Sequence, residues 1–459
     1  MKTSILIALS LCFQIASAQY TKLKDFAGGP NGENPLKTTL VYDGGFLYGL
    51  TKFGGTDNLG NVFKIKTDGS AYTHLYEFKY DNVGYYPSGS LTKLGDTLYG
   101  TTNMGCPNNT GAIFKIRTDG SGATNLHCFV GSDGGMSHGT LLYDGTYLFG
   151  TTSSGGMANS GTVFKIKPDG TNFNTVYYFD WISSGNGPGT SLLYDGNFLY
   201  GMTAGTSGKG NVFKVKPDGS AFSRLGPNDF GNALGGLVFN GTYLFGMTPY
   251  GGSNNKGQIF RMLRDGSAYS ILHDFNGADG SAPVNDLLLI GNDLYGMTYE
   301  GGSNDKGVLF KIKTDGSGFT KLLDFVGATN GSNPYGGLVS DGIYIYGMTS
   351  FGGAYSKGTI FKYVIDPVLA GINESKESAS VELFPNPCSD QLNLRSSVDL
   401  SNATITLLDP LGRVLPVLQT TDGQNTKLSL GELSNGIYFI QIRLDEKVIL
   451  NKKITVTDR

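Results

Sequence analysis

Charge is scarce in this chain. Charged residues make up 16% of its 459 positions, the formal net charge is -3, and no run of basic residues occurs. That excludes the basic face of a nucleic-acid-binding protein and the polybasic patch of an anionic-membrane binder. Cysteine is scarce too, with Cys12 in the apolar N-terminal stretch and only Cys106, Cys128 and Cys388 beyond it. An odd number in an oxidising compartment leaves at least one free thiol. Cys106 and Cys128 lie close enough in sequence to pair, and whether they are bridged is left open. No later segment has the apolar length of a membrane-spanning helix, so a mature chain with no transmembrane segment is expected.

What is abundant is glycine, 70 residues of it, at repeating offsets beside aromatic and β-branched residues. A Tyr/Phe-Gly-x-Thr element places its glycine at 49, 100, 150, 201, 246, 296 and 347, with spacings of 51, 50, 51, 45, 50 and 51. A Phe-Lys-Ile-Lys element keeps the same beat, with Phe63, Phe114, Phe164, Phe213, Phe260, Phe310 and Phe361. A period near 50 means one supersecondary unit per repeat, each needing neighbours to bury its apolar faces. Only one repeat holds Cys106 and Cys128, so the fold cannot depend on a bridge between them.

Each unit reads as four strands, a to d. In the sixth these are expected at Asp286 to Leu289, Leu294 to Thr298, Val308 to Lys313 and Phe319 to Phe325. In the third of them Leu309, Lys311 and Lys313 alternate with Val308, Phe310 and Ile312, the period of a strand with one buried and one solvated face. An Asp-Gly pair between strands c and d, from Asp68-Gly69 to Asp315-Gly316, is a hairpin signal. Seven such units predict an all-β, seven-bladed β-propeller. The seventh lacks strand d, and Tyr20 to Phe26 closely matches Phe319 to Phe325, so the N-terminal strand is expected to close the ring. An open solenoid is the alternative, which would need no such transplanted strand.

The N-terminus, with Lys2, an apolar run from Ile5 to Ile15 and small residues at Ala16 and Ala18, reads as a signal peptide over 1–18. A lipoprotein signal ending at Cys12 is a rival that Leu11 fits poorly. The propeller is expected over 19–365 and a polar linker over 366–380. Seven short strands follow from Val381 to Val456, the size and strand count of a small β-sandwich.

Two resemblances sharpen this. Residues 381–459 resemble the type A C-terminal sorting domain of the type IX secretion system of Bacteroidetes. The matching motifs are Phe384-Pro385-Asn386-Pro387, Asp409 to Val414 with Gly412, Leu433 to Phe439 with Gly436 and Tyr438, and the ending Lys452-Lys453-Ile454. The resemblance implies the type IX secretion machinery as partner, passage through the outer membrane, and a mature protein released or held at the surface. The repeats, over roughly 20–363, resemble the GloVer tandem repeat through Gly-x-x-Phe-Lys-x-x-x-Asp-Gly and Leu-Tyr-Gly-x-Thr, a likeness that names no ligand.

In a propeller of this strand order the b-to-c loops and d-to-a connections share one face. Aromatics recur there: Phe53, Tyr250, Tyr299 and Phe351 in the first set, with Met104 in a comparable slot, and Tyr85, Tyr86, Trp181 and Tyr335 in the second. Such rings suit a sugar, whose C–H face stacks while its hydroxyls take hydrogen bonds. The plainer reading is that they pack between neighbouring units. Of four histidines, His127 and His273 share a strand-d slot and read as scaffold, whereas His138 lies in a d-to-a connection, where a general base is conceivable. No carboxylate pair or nucleophile motif accompanies it. The Asp-Gly pairs lack the ligand pattern of a calcium loop, the glycine loops at 251–257 and 301–307 join strand to strand unlike phosphate cradles, and the repeated lysines, such as Lys64 and Lys311, read as a solvated strand face. No cofactor or metal is expected. The expectation is therefore an exported, monomeric propeller binding glycan or another extracellular polymer; a polysaccharide lyase or hydrolase, or a protein-adhesion module, is the alternative.

Overall fold

The computed structural model describes residues 19–80, 83–205, 210–227, 234–365, 381–408, 414–415, 417–431, 433, 436–444 and 447–457. The repeats occupy one compact unit, 20–339 with 346–362, and residues 363–459 with 340–345 fall in a second; each is described in turn. Among the described residues the only helix is a single 3-10 turn, Gly29–Asn31.

The repeat region is a series of seven antiparallel sheets. In the first, Val41–Asp43, Phe46–Thr51, Asn61–Lys66 and Thr73–Glu77 are strands a to d in spatial order. The next five follow the same order, one with an extra strand at Gly135–Ser137. In the seventh, Val339–Ser340, Tyr344–Thr349 and Thr359–Val364 are joined by Tyr20–Asp25 as the outer strand.

The repeat signature is a packing rule. The glycine of strand b pairs across the sheet with the phenylalanine of strand c, as in Gly296 and Phe310. A methyl group on Gly296 would lie 2.5 Å from the Phe310 ring. Only glycine therefore leaves room for the ring to lie flat across its neighbour. The signature threonine closes the other end, its Oγ1 accepting the first strand-c N–H, as Thr298 does from Val308 at 3.1 Å. Neighbouring sheets lock through a second phenylalanine just past strand d. Phe78 meets the edge of Phe114 at 5.2 Å, Phe275 meets Phe310 at 5.4 Å, and Phe26, from the N-terminal segment, meets Phe63 at 5.5 Å. All of these rings are fully buried, each contributing about 1.5–3 kcal/mol by burial.

Three strand-level expectations are corrected. Leu309 is fully buried, so strand c is covered on both faces at its start and only Lys313 is exposed. The recurrent lysine is not a free solvated group: Lys64, Lys165 and Lys214 lie over Phe46, Tyr147 and Phe198, at or just before the start of strand b, at 5.7, 5.2 and 4.9 Å. A long apolar stem and a cation over a ring cover that face instead. In the sixth unit strand a is Leu288–Ile290, starting two residues later than expected. Asn285 and Asp286 leave the ladder: Asn285 Nδ2 donates to the Pro334 carbonyl at 3.3 Å, and Asp286 accepts the bonds described below.

The C-terminal unit has two four-stranded sheets. One runs Val381–Phe384, Gln391–Ser396, Asn425–Ser429, Leu418–Asp422; the other Val414–Leu415, Thr404–Leu408, Gly436–Leu444, Lys447–Val456. Eight strands replace the seven expected, because 413–418 is not one strand: Val414–Leu415 and Leu418–Asp422 pair in different sheets. Cys388, Leu392, Leu394, Leu407, Leu428, Ile440, Ile442 and Ile454 are among the buried residues of the core.

Candidate functional site

The b-to-c loops and d-to-a connections of a unit are tied together by backbone bridges, Glu33 with Phe53, Ser281 with Glu300 and Ser332 with Phe351. Five of the loops are cinched internally. The first loop glycine donates to the side chain of Asn58, Asn109, Asn159, Asn255 or Asp305 at 2.8–3.0 Å. These acceptors have φ of 52–58°, a left-handed conformation that Asn and Asp tolerate. The loops are thus self-satisfied turns. A clip then fixes four of the loops to the end of strand d: Thr56 Oγ1 donates to Glu77 at 2.8 Å, Ser253 N–H to Asp274 at 2.8 Å, Ser303 N–H to Asp324 at 2.9 Å, and Ala354 N–H to Asp25 at 3.0 Å. In the second unit Cys128 stands in the strand-d slot and Cys106 at the second loop-glycine position, one residue before the donor, and the two form a disulfide. The sulfurs therefore substitute for a hydrogen-bonded clip.

Just before strand a, three consecutive positions recur in every unit, and residues at these positions from all seven units line one small pocket. The third position makes a relay from unit to unit. Thr39 N–H donates to Ser90 Oγ at 2.7 Å, Ser90 N–H to Thr140 Oγ1 at 3.3 Å, and Thr140 N–H to Ser191 Oγ at 3.2 Å. The Ser191 hydroxyl donates to Asp286 Oδ2 at 3.4 Å, Gly236 N–H donates to Asp286 Oδ1, and Gly337 N–H donates to Thr39 Oγ1 at 2.8 Å. Bonds from Gly337 to Thr39 run from the seventh unit to the first. At the second position Gly336 packs against the next unit so closely that a methyl group would lie 1.9 Å from the Thr38 carbonyl oxygen.

The first position carries the chemistry. It reads Lys37, Ser88, His138, Gly189, Leu234, Val284 and Tyr335, of which all but Ser88 line the pocket. One arc is cationic, polar and aromatic, the other apolar. His138 Nδ1 bonds Ser88 Oγ at 2.9 Å. Its ring touches the cavity yet is surrounded by protein, and burial, with Lys37 and Lys52 adding to it, pushes its pKa down to about 3. Burial likewise lowers the Lys37 ammonium, raises the Asp286 carboxyl and raises the Tyr335 hydroxyl. A neutral imidazole with so low a pKa is a weak base.

The expected aromatic residues divide. Tyr299 and Tyr335 meet edge-to-face at 5.4 Å across two units, and the neighbouring Tyr250 acts on the Tyr335 hydroxyl. Phe53, one loop position further on, meets Tyr86 of the next unit at 5.4 Å, with Lys52 5.4 Å above the Phe53 ring. Of these rings only Tyr335 lines the pocket; Tyr299, Phe53 and Tyr86 pack between units beside it. Phe351 and Tyr250 remain partly exposed, at 38% and 51%. Trp181 is apart, 55% exposed in a loop whose bonds close on Asp180, and it does not line the pocket. His127 and His273 stack on Phe173 and Phe319 of the next unit at 3.6 and 3.7 Å, a scaffold role. Missed from the sequence were Lys37, Asn285 and Asp286. The signal was available: the residues before each Leu-x-x-x-Gly vary while everything around them repeats.

Two family profiles match. The Gloeobacter/Verrucomicrobia repeat matches residues 11–148 and 204–368, more than half of the chain. The chain belongs to the Gloeobacter/Verrucomicrobia repeat family. The secretion system C-terminal sorting domain matches residues 382–457. No curated protein matches. Among solved structures, the extracellular domain of a one-component system from B. thetaiotaomicron is similar at 11% identity and a TM-score of 0.50, covering 96% of this chain and 58% of that one. An oligogalacturonate lyase in complex with manganese is similar at 12% identity and 0.49, covering 76% and 93%. At such identities the likeness is one of fold, and the repeat domain is β-propeller-like.

The sorting domain of this Gloeobacter/Verrucomicrobia repeat protein marks it as secreted and surface-exported, with the secretion machinery as partner. No described helix is long and apolar enough to cross a membrane. Within the sorting domain, the Pro385-Asn386-Pro387 segment is fixed to the last strand: Thr455 N–H donates to Asn386 Oδ1 at 2.9 Å, and Cys388 N–H to the Thr455 carbonyl at 2.8 Å. Cys388 is a free, buried thiol. Tyr438 is buried, and Gly436, Lys452 and Lys453 lie in the paired strands Gly436–Leu444 and Lys447–Val456, with Lys452 exposed. Gly412 lies outside the described residues.

Proposed function

We propose that the repeats close into a seven-bladed propeller and that its loop face is a glycan-binding site, in a monomeric module exported after loss of residues 1–18. The domains are then 19–365, a linker over 366–380, and the sorting domain over 381–459. The observation that carries this reading is the ring of first positions around the pocket, where Leu234 and Val284 face an arc of Tyr335, Lys37 and His138. A sugar has the same two-sidedness, with apolar C–H faces and a hydroxyl rim. The relay from Gly337 to Thr39, the Phe26–Phe63 contact and the outer strand Tyr20–Asp25 support ring closure. The module binds and does not cleave: the pocket histidine is held neutral and its carboxyl, Asp286, is bonded to Ser191 and Gly236. The test is to incubate the exported chain with plant, algal and host polysaccharides and assay retention and soluble products together. Retention without products is expected, and it should weaken in Tyr299→Ala and Tyr335→Ala. New reducing or unsaturated ends would replace this reading with an enzyme, and absence of retention would leave a protein-adhesion module.

A further inference from the structure

We propose that the glycan taken by this pocket is acidic, its carboxylate or sulfate group held by the Lys37 ammonium beside the Tyr335 ring. This rests on the glycan-binding reading above and names the ligand class. Lys37 is the only charged residue among the seven first positions. It lines the cavity, its Nζ lies 6.0 Å from the Tyr335 ring centroid, and its N–H donates to the Tyr335 carbonyl at 3.1 Å. Its φ is +56°, a conformation an L side chain adopts at a cost.

The ammonium has no carboxylate within ion-pairing distance among the described residues, whereas Lys357 and Lys93 have Glu33 and Asp43. A largely buried cation without a counter-ion is expensive, and an anionic ligand removes that expense. Asp286 is not that counter-ion. It belongs to the sixth unit and is engaged by the Ser191 hydroxyl and the Gly236 amide. Lys52 adds positive potential, since both lysines act on His138. Two further groups await a polar ligand. Asn285 Oδ1 is buried without a hydrogen-bond partner, and the His138 bond to Ser88 uses only Nδ1. Together they supply a cation, an acceptor and a ring edge within one cavity, the set that reads an acidic sugar.

The experiment uses affinity electrophoresis of the full exported chain against alginate, its propylene-glycol ester, a sulfated galactan and poly-glutamate. Alginate or the sulfated galactan should retard the wild-type protein, and which of them does so tells carboxylate from sulfate. Esterification should weaken the alginate interaction by roughly tenfold or more, the loss of one charge-assisted contact. Lys37→Gln should cause a similar loss and Lys37→Arg a smaller one, with thermal melting confirming that each variant folds. Should Lys37→Gln not fold, the esterification comparison on the wild-type chain still decides. Equal binding of alginate and its ester, unchanged binding by a folded Lys37→Gln protein, or equal binding of poly-glutamate would overturn the proposal. Retention by neutral or esterified glycans alone overturns the acidic ligand and leaves the glycan reading standing; retention by none brings down that reading too.

Discussion

At the scale of single residues, the strand-b glycine and strand-c phenylalanine form one steric unit. Gly296→Ala should destabilise the repeat region by about 1–3 kcal/mol, because the new methyl group must displace the Phe310 ring in a close-packed core. Denaturant unfolding measures it, and the double variant Gly296→Ala, Phe310→Leu should recover part of the loss. A full loss without recovery would mean the glycine is needed for another reason. His138 gives a pH prediction. Its folded pKa, about 3, lies below the unfolded value near 6.5. Between these the unfolded chain binds the extra proton, so the contribution of neutral His138 is present above about 6.5 and lost as pH falls toward 3. The drop in stability between pH 7 and pH 4.5 should therefore be smaller in His138→Gln than in the wild type, by on the order of one to a few kcal/mol. Equal drops would show a normally titrating histidine.

The elements show what a sequence can and cannot say. Strand c of the sixth unit, Val308–Lys313, is legible to the residue, because turn signals bound it on both sides. Its burial is not legible, since alternation of Leu309 with Phe310 says nothing about a neighbouring sheet covering the second face. Likewise 413–418 reads as one apolar run, and only pairing reveals that its two ends serve different sheets. The clip between loop and strand d is spelled in the sequence, as Glu77, Asp274, Asp324 and Asp25 before the phenylalanine, but its partners are 21 residues away or, for Asp25, at the other end of the chain. This slot view predicts the effect of reducing Cys106–Cys128. Hydrogen exchange should speed up in the loop at 105–111 and leave the other six units unchanged, with a global loss below the roughly 3 kcal/mol of a chain-entropy bound for such a loop. Exchange rising across all units would make the bridge a keystone of the fold.

For the whole molecule, the repeat makes architecture readable and function hard to read. Seven near-copies announce seven sheets, and the transplanted Tyr20–Asp25 announces where the last finds its outer strand. The candidate site lies where the copies stop agreeing. Aromatics such as Tyr299 and Tyr335 stood out by type, whereas Lys37 and Asn285 did not, because only a comparison between copies marks a position that varies while its neighbours repeat. The measurement closest to the central claim is hydrogen exchange of the full exported chain with and without the polysaccharide that retains it. Protection is predicted in the segments around Lys37, Phe53, His138, Asn285, Tyr299 and Tyr335, from several units at once. Protection confined to the outer strands d, to Trp181 alone or to the sorting domain would contradict a binding site on the loop face.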